Sequence, residues 1–230
     1  VSINLANNII SALKEYAYDQ DVITAFEGFL AKIVNLADYA NVYIQKVLEI
    51  VGEKNIDVLL MWVEGSLANG EINQGFFSER FIMLTLQRLY TVWVGCSALE
   101  VKEKIKSAIL GQLCFNKKSV RKNARKIIGK MRVPLNEQKE FILGKLADLN
   151  IEDEQSLPDV YYLLLGLYEL PNSLTDIQTY MQGKGSLREK LVEFVEKEKQ
   201  GKKDIIDGIK KQGIDETNKP AVFSLEMQVA

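Results

Sequence analysis

The sequence predicts an all-α fold, either an irregular multi-helix bundle or a stack of helical hairpins, with roughly eight to ten helices. Three observations carry this expectation. Apolar residues recur at a spacing of about 3.6 along almost the whole chain, and no stretch alternates as a half-buried strand would. Hydrophobic residues make up 47% of 230 positions, enough for a substantial core.

Taken in order, Leu5, Ile9, Ile10, Leu13 and Tyr16 mark a first helix, and Ile23, Phe26, Phe29, Leu30, Ile33 and Val34 a second. Asp38 is placed to cap a third carrying Val42, Tyr43, Val47, Leu48 and Val51, ended by Gly52. Asn55 can cap the next, which holds Val58, Leu59, Trp62 and Val63 and stops at Asn69-Gly70, a pair suited to left-handed backbone. A helix with Phe81, Leu84, Leu89, Val92 and Trp93 follows. Another starts near Ser97 and runs through Val101, Ile105, Ile109, Leu110 and Leu113.

A basic helix begins at Ser119 or the lysines before it, and Pro134 closes it. Ser156 precedes Pro158 in a helical first turn, while Ser173/Asp176 and Ser186/Glu189 have capping-box spacing. Residues 1–212 are expected to form a single all-helical domain, with room for a subdivision near 100–116. A flexible tail is expected over 213–230.

The hexapeptide "AILGQL" at 108–113 returns as "FILGKL" at 141–146, an offset within the range of helical repeats. The segment 104–131, "KIKSAILGQLCFNKKSVRKNARKIIGKM", resembles a HEAT-type α-helical repeat. Val120-Arg121, Ala124 and Ile127-Ile128 stand where that family's second helix has a Val-Arg, an Ala and an aliphatic pair. The resemblance implies helices stacked in pairs as an irregular repeat.

Charge is unevenly spread. Between Lys102 and Arg132 there are eleven Lys or Arg residues and one acid, Glu103, so this segment carries +10 in a chain whose net charge is −2. Within it, "KKSVRKNARKIIGKMR" at 117–132 places Val120, Ala124, Ile127, Ile128 and Met131 on one face of a helix. The other side takes Arg121, Lys122, Arg125, Lys126, Lys130 and Arg132. A solvated helix face ordinarily mixes both signs. Lys117, Lys118, Arg121, Lys122, Arg125, Lys126, Lys130 and Arg132 are therefore the candidate partner-binding or polyanion-binding residues.

An acidic protein is the expected partner, with nucleic acid or an anionic membrane surface as the alternative through the same residues. Phe115 is the single aromatic between residues 94 and 140, so this stretch offers little for stacking bases or inserting into lipid.

Other chemistry finds less support. The chain has no histidine, which removes Ser-His-Asp and Cys-His catalysis and His-ligated zinc. Asn69, Glu71 and Asn73 alternate like calcium ligands, but Gly75 comes one place late and Arg80 stands where the twelfth-position Glu should be. That turn also resembles the helix-loop-helix of TerB-like tellurite-resistance domains, with Asn69 in place of the usual Asp.

No catalytic residue, metal ligand or cofactor is assigned. Cys96 and Cys114 sit in apolar helical patterns without CxxC spacing, which suits free thiols in a reducing compartment. The opening residues lack the organisation of a secretory leader. The most apolar stretch, Phe81 to Leu99, has Gln87 and Arg88 near its middle and is expected to be a buried helix rather than a membrane span. These features predict a cytoplasmic interaction or scaffold protein rather than an enzyme.

Overall fold

A computed structural model of the chain describes residues 39–68, 79–151, 153–182, 184, 186–197 and 199, with eight single positions between 8 and 21. Of the first predicted helix Asn8, Ser11, Ala12, Lys14, Glu15 and Tyr16 are described, all of them helical, and the second predicted helix lies outside the described residues. So do the candidate calcium turn at 69–78 and the tail.

Every regular element among the described residues is helical. The α-helices are α1 (Tyr39–Lys54), α2 (Ile56–Ala68), α3 (Glu79–Gly95), α4 (Leu99–Gly111), α5 (Lys118–Met131), α6 (Leu135–Asp148), α7 (Leu157–Tyr168) and α8 (Leu174–Met181). Short 3₁₀ turns at Gln112–Cys114 and Glu154–Ser156 precede α5 and α7, and a further helix spans 186–197.

Contacts divide the chain into two compact units. One is Val1–Leu149 with Asp159–Ile177, and the other is Asn150–Pro158 with Gln178–Ala230. In the second, Leu187 is buried and the Lys184 ammonium lies 3.4 Å from the centre of the Tyr180 ring.

In the first unit α1, α3 and α5 pack side by side, and α2, α4 and α6 do the same in a second layer against them. Asn55 alone separates α1 from α2, and residues 96–98 separate α3 from α4. Connections this short force consecutive helices to run antiparallel. α3 and α5 therefore run parallel, and their contacts repeat in register: Ser119 donates to Glu79, Asn123 Nδ2 to the Met83 carbonyl at 3.4 Å, and Lys130 reaches Tyr90.

Between the layers lie Val47, Leu48 and Val51 of α1, Leu59, Trp62 and Val63 of α2, and Phe81, Ile82, Leu86 and Leu89 of α3. α4 adds Ile105, Ile109 and Leu110. The Trp62 and Phe81 rings meet edge to face at 5.6 Å. Buried Thr85 is satisfied by donating to the Phe81 carbonyl one turn back, at 2.9 Å.

Most helix positions match the periodicity, but one start does not use the side chains expected of it. α4 begins at Leu99 after Ala98, with no side-chain cap, close to the start expected near Ser97. At α8 the Ser173 hydroxyl is buried and donates to the Leu170 carbonyl at 3.0 Å, while Lys139 Nζ binds Asp176 at 2.7 Å. The reciprocal side-chain to backbone bonds of the predicted capping box are not formed; the two side chains take these other partners.

Among the described residues both thiols are free, Cys114 buried and Cys96 half-buried. Burial outweighs the nearby Arg121 charge and pushes the Cys114 thiol up to about 12, so almost none is thiolate at neutral pH. Ellman's reagent is therefore expected to titrate Cys96 in the native protein and Cys114 only after denaturation. Rapid native labelling of both thiols would contradict this packing.

Candidate functional site

α5 sorts its side chains by angle around the helix. Val120, Ala124, Ile127, Ile128 and Met131 are buried, as the wheel requires. Arg121 is buried with them, its residue only 4% exposed, and this corrects its placement on the wet face. It lies seven residues before Ile128, almost two full turns, so the two project within about 20° of each other. Position 121 belongs to the edge of the apolar stripe.

The core accepts this cation because every arm of the guanidinium has a partner. Nη1 donates to the carbonyls of Phe115 at 2.7 Å and Asn116 at 3.2 Å. Nε and Nη2 grip both oxygens of Glu169, at 3.0 and 2.8 Å. This is the bidentate fork that suits arginine. Arg125 bonds to the same carboxylate from the next turn. Burial opposes ionisation of Glu169, but the hydrogen bonds and charges of the two arginines outweigh it and hold its carboxyl below the usual range. Glu169, just past α7, was not among the candidate residues, and no local pattern marks it.

The flanking lysines are also partly engaged. Lys106 bridges Glu103 and Glu137, both at 2.6 Å, and Lys104 pairs with Glu100 at 3.3 Å. The hydrogen bonds from Lys106 to Glu103 and Glu137 raise its pKa against the opposing effect of burial. Lys102 lies over the Trp93 ring at 5.1 Å and Lys130 over Tyr90 at 5.6 Å. Lys117 flanks α5 as its N-cap residue, half-buried.

Lys118, Lys122, Lys126 and Lys130 remain exposed, spaced by four along the outer face, and Arg132 is exposed at the left-handed C-cap, φ 58°. Among the described residues none of these five pairs with a carboxylate. The eight candidates thus separate into a solvent-facing stripe of five, an internal clamp formed by Arg121 and Arg125 on Glu169, and Lys117, half-buried at the helix start.

Nothing in the described residues forms a group of three or more His, Cys, Asp or Glu side chains able to hold a metal ion, and no described helix is long and apolar enough to cross a membrane. No family model, curated protein or solved structure matches the chain.

Proposed function

We propose that this chain is a non-enzymatic interaction protein that docks an acidic partner along the outer face of α5, on a framework of stacked helical hairpins of the HEAT kind. The observation that carries the reading is the exposed row Lys118, Lys122, Lys126 and Lys130, which has no neutralising acid among the described residues. Four like charges at i, i+4 spacing repel one another and destabilise the isolated helix. A partner carboxylate or phosphate relieves that repulsion and gains from the summed field. The side-by-side packing of α1, α3 and α5 supports the framework part of the proposal. It is also consistent with a cytoplasmic scaffold.

The test is fluorescence anisotropy with a labelled poly-glutamate peptide and a labelled oligonucleotide, titrated with wild type and with Lys118→Glu/Lys122→Glu/Lys126→Glu. Arg121 and Arg125 are left intact because reversing either attacks the Glu169 clamp. Wild type is expected to bind with strong salt dependence. The variant should retain its melting temperature and bind at least about tenfold more weakly, its salt slope reduced by about one per lysine engaged with phosphate. Equal binding by the two proteins, or none by wild type at low salt, refutes the docking role of α5.

A further inference from the structure

The turn joining α3 to α4 is a surface feature that the lysine stripe leaves unexplained. From Leu89 to Leu99 the sequence has no charged side chain, yet Val94, Gly95, Ser97, Ala98 and Leu99 are exposed. Val94 is 58% and Leu99 72% exposed, in a turn where polar residues would ordinarily meet water.

Behind these aliphatics Tyr90 and Trp93 are half-buried, their rings nearly parallel with centres 6.3 Å apart and planes 15° apart. Lys130 from α5 and Lys102 from α4 lay their ammonium groups over these rings. Arg132 is exposed where α5 ends, two residues past Lys130.

The geometry points to an anionic lipid surface as the partner of this turn. Exposed aliphatics at the tip, aromatic rings behind them and cations beside the rings reproduce the order of chemistry through a bilayer interface, from acyl chains to phosphates. Lysine stems lie along apolar surface while their heads stay free to meet a headgroup. Glu100 and Glu103 oppose an anionic surface, but each is paired, with Lys104 and Lys106. A nucleic-acid strand would use the rings and cations and leave Val94 and Leu99 in water, whereas an interface accommodates all of them. This surface shares Lys130 and Arg132 with the exposed cations of α5 and leaves Lys118, Lys122 and Lys126 out, so it adds a second contact to the docking role proposed above.

The experiment is co-sedimentation with vesicles of phosphatidylcholine, with and without phosphatidylserine, alongside tryptophan emission. Trp62 is 2% exposed, so a blue shift on vesicle addition reports Trp93, and lipids brominated on the acyl chains should quench it. Binding is expected only with phosphatidylserine. Val94→Asp/Leu99→Asp should weaken it about tenfold or more, and both positions are exposed, so the melting temperature should not change. The same variant should bind poly-glutamate as wild type does, and Lys118→Glu/Lys122→Glu/Lys126→Glu should still show the vesicle-induced blue shift. That pair of results separates failure of this inference from failure of the α5 reading. Absence of sedimentation with phosphatidylserine vesicles at low salt, or undiminished binding by Val94→Asp/Leu99→Asp, overturns the lipid assignment. Quenching of Trp93 by a single-stranded oligonucleotide without vesicle binding would instead make the rings a base-stacking platform.

Discussion

Replacing Arg121 by methionine is expected to destabilise the protein by about 3 kcal/mol, a fall in Tm on the order of 10 °C for a chain of this size. Methionine fills similar volume, so the loss comes from what the guanidinium leaves behind. The Phe115 and Asn116 carbonyls lose their donor, and Glu169 keeps only Arg125. An unpaired buried group costs its full desolvation, which makes breaking such a pair worse than never having built it. The estimate sits at the low end for buried pairs because the Glu169 side chain retains 16% exposure. Arg121→Met/Glu169→Leu should recover part of the loss, and chemical denaturation of the four-member cycle measures the coupling. A single-variant loss below about 1 kcal/mol would place the pair with ordinary surface salt bridges.

The same clamp sets a pH dependence of defined sign. Glu169 has its folded pKa depressed below the ordinary 4.5. Its contribution is therefore fully present above that value and is lost as pH falls through the folded pKa. Glu169→Gln should be less stable than wild type at neutral pH, and the gap should close on acidification. A gap that is constant across the acid limb would show that Glu169 titrates alike in the folded and unfolded states.

Alanine at Gly166 and at Gly129 or Gly144 should change stability in opposite directions. A Cβ on Gly166 would stand 2.6 Å from the Leu113 carbonyl oxygen and 3.0 Å from the Cys114 sulfur. The nearer atom is backbone in a tight 3₁₀ turn and cannot swing aside, so Gly166→Ala should cost about 2–3 kcal/mol as α7 is pushed off that turn. Gly129 and Gly144 are exposed within α5 and α6, and a Cβ there meets nothing within 4 Å. Alanine at either should stabilise by about 0.5–1 kcal/mol through helix propensity and a more restricted unfolded chain. Thermal melts of the three single variants check this directly. Equal effects at all three would mean that α7 does not approach the turn as closely as described.

Local patterning made much of the fold legible. The apolar stripe of α5 was readable because helical geometry puts positions 120, 124, 127, 128 and 131 on one side whatever surrounds them. Helix boundaries at Asn55, Pro134 and Pro158 were readable because capping and proline sterics act within a turn of the residue concerned. The same local reasoning failed at Ser173 and Asp176, whose capping-box spacing was present but whose side chains bind the Leu170 carbonyl and Lys139 instead.

By itself, then, the sequence determined an all-helical chain and a helix with one dry face and a concentration of cations, because periodicity and composition are properties of neighbouring residues. Only the tertiary structure decided which cations face water. The fate of a charge depends on whether a distant partner can offset its desolvation, and Arg121 finds that partner in Glu169, forty-eight residues away. Tertiary packing also set Tyr90 and Trp93 beside Lys130 and Lys102, supplying the aromatic neighbours that the basic segment lacks in its own sequence. Side chains on three separate helices meet there through packing alone, and helical periodicity carries no record of such a meeting.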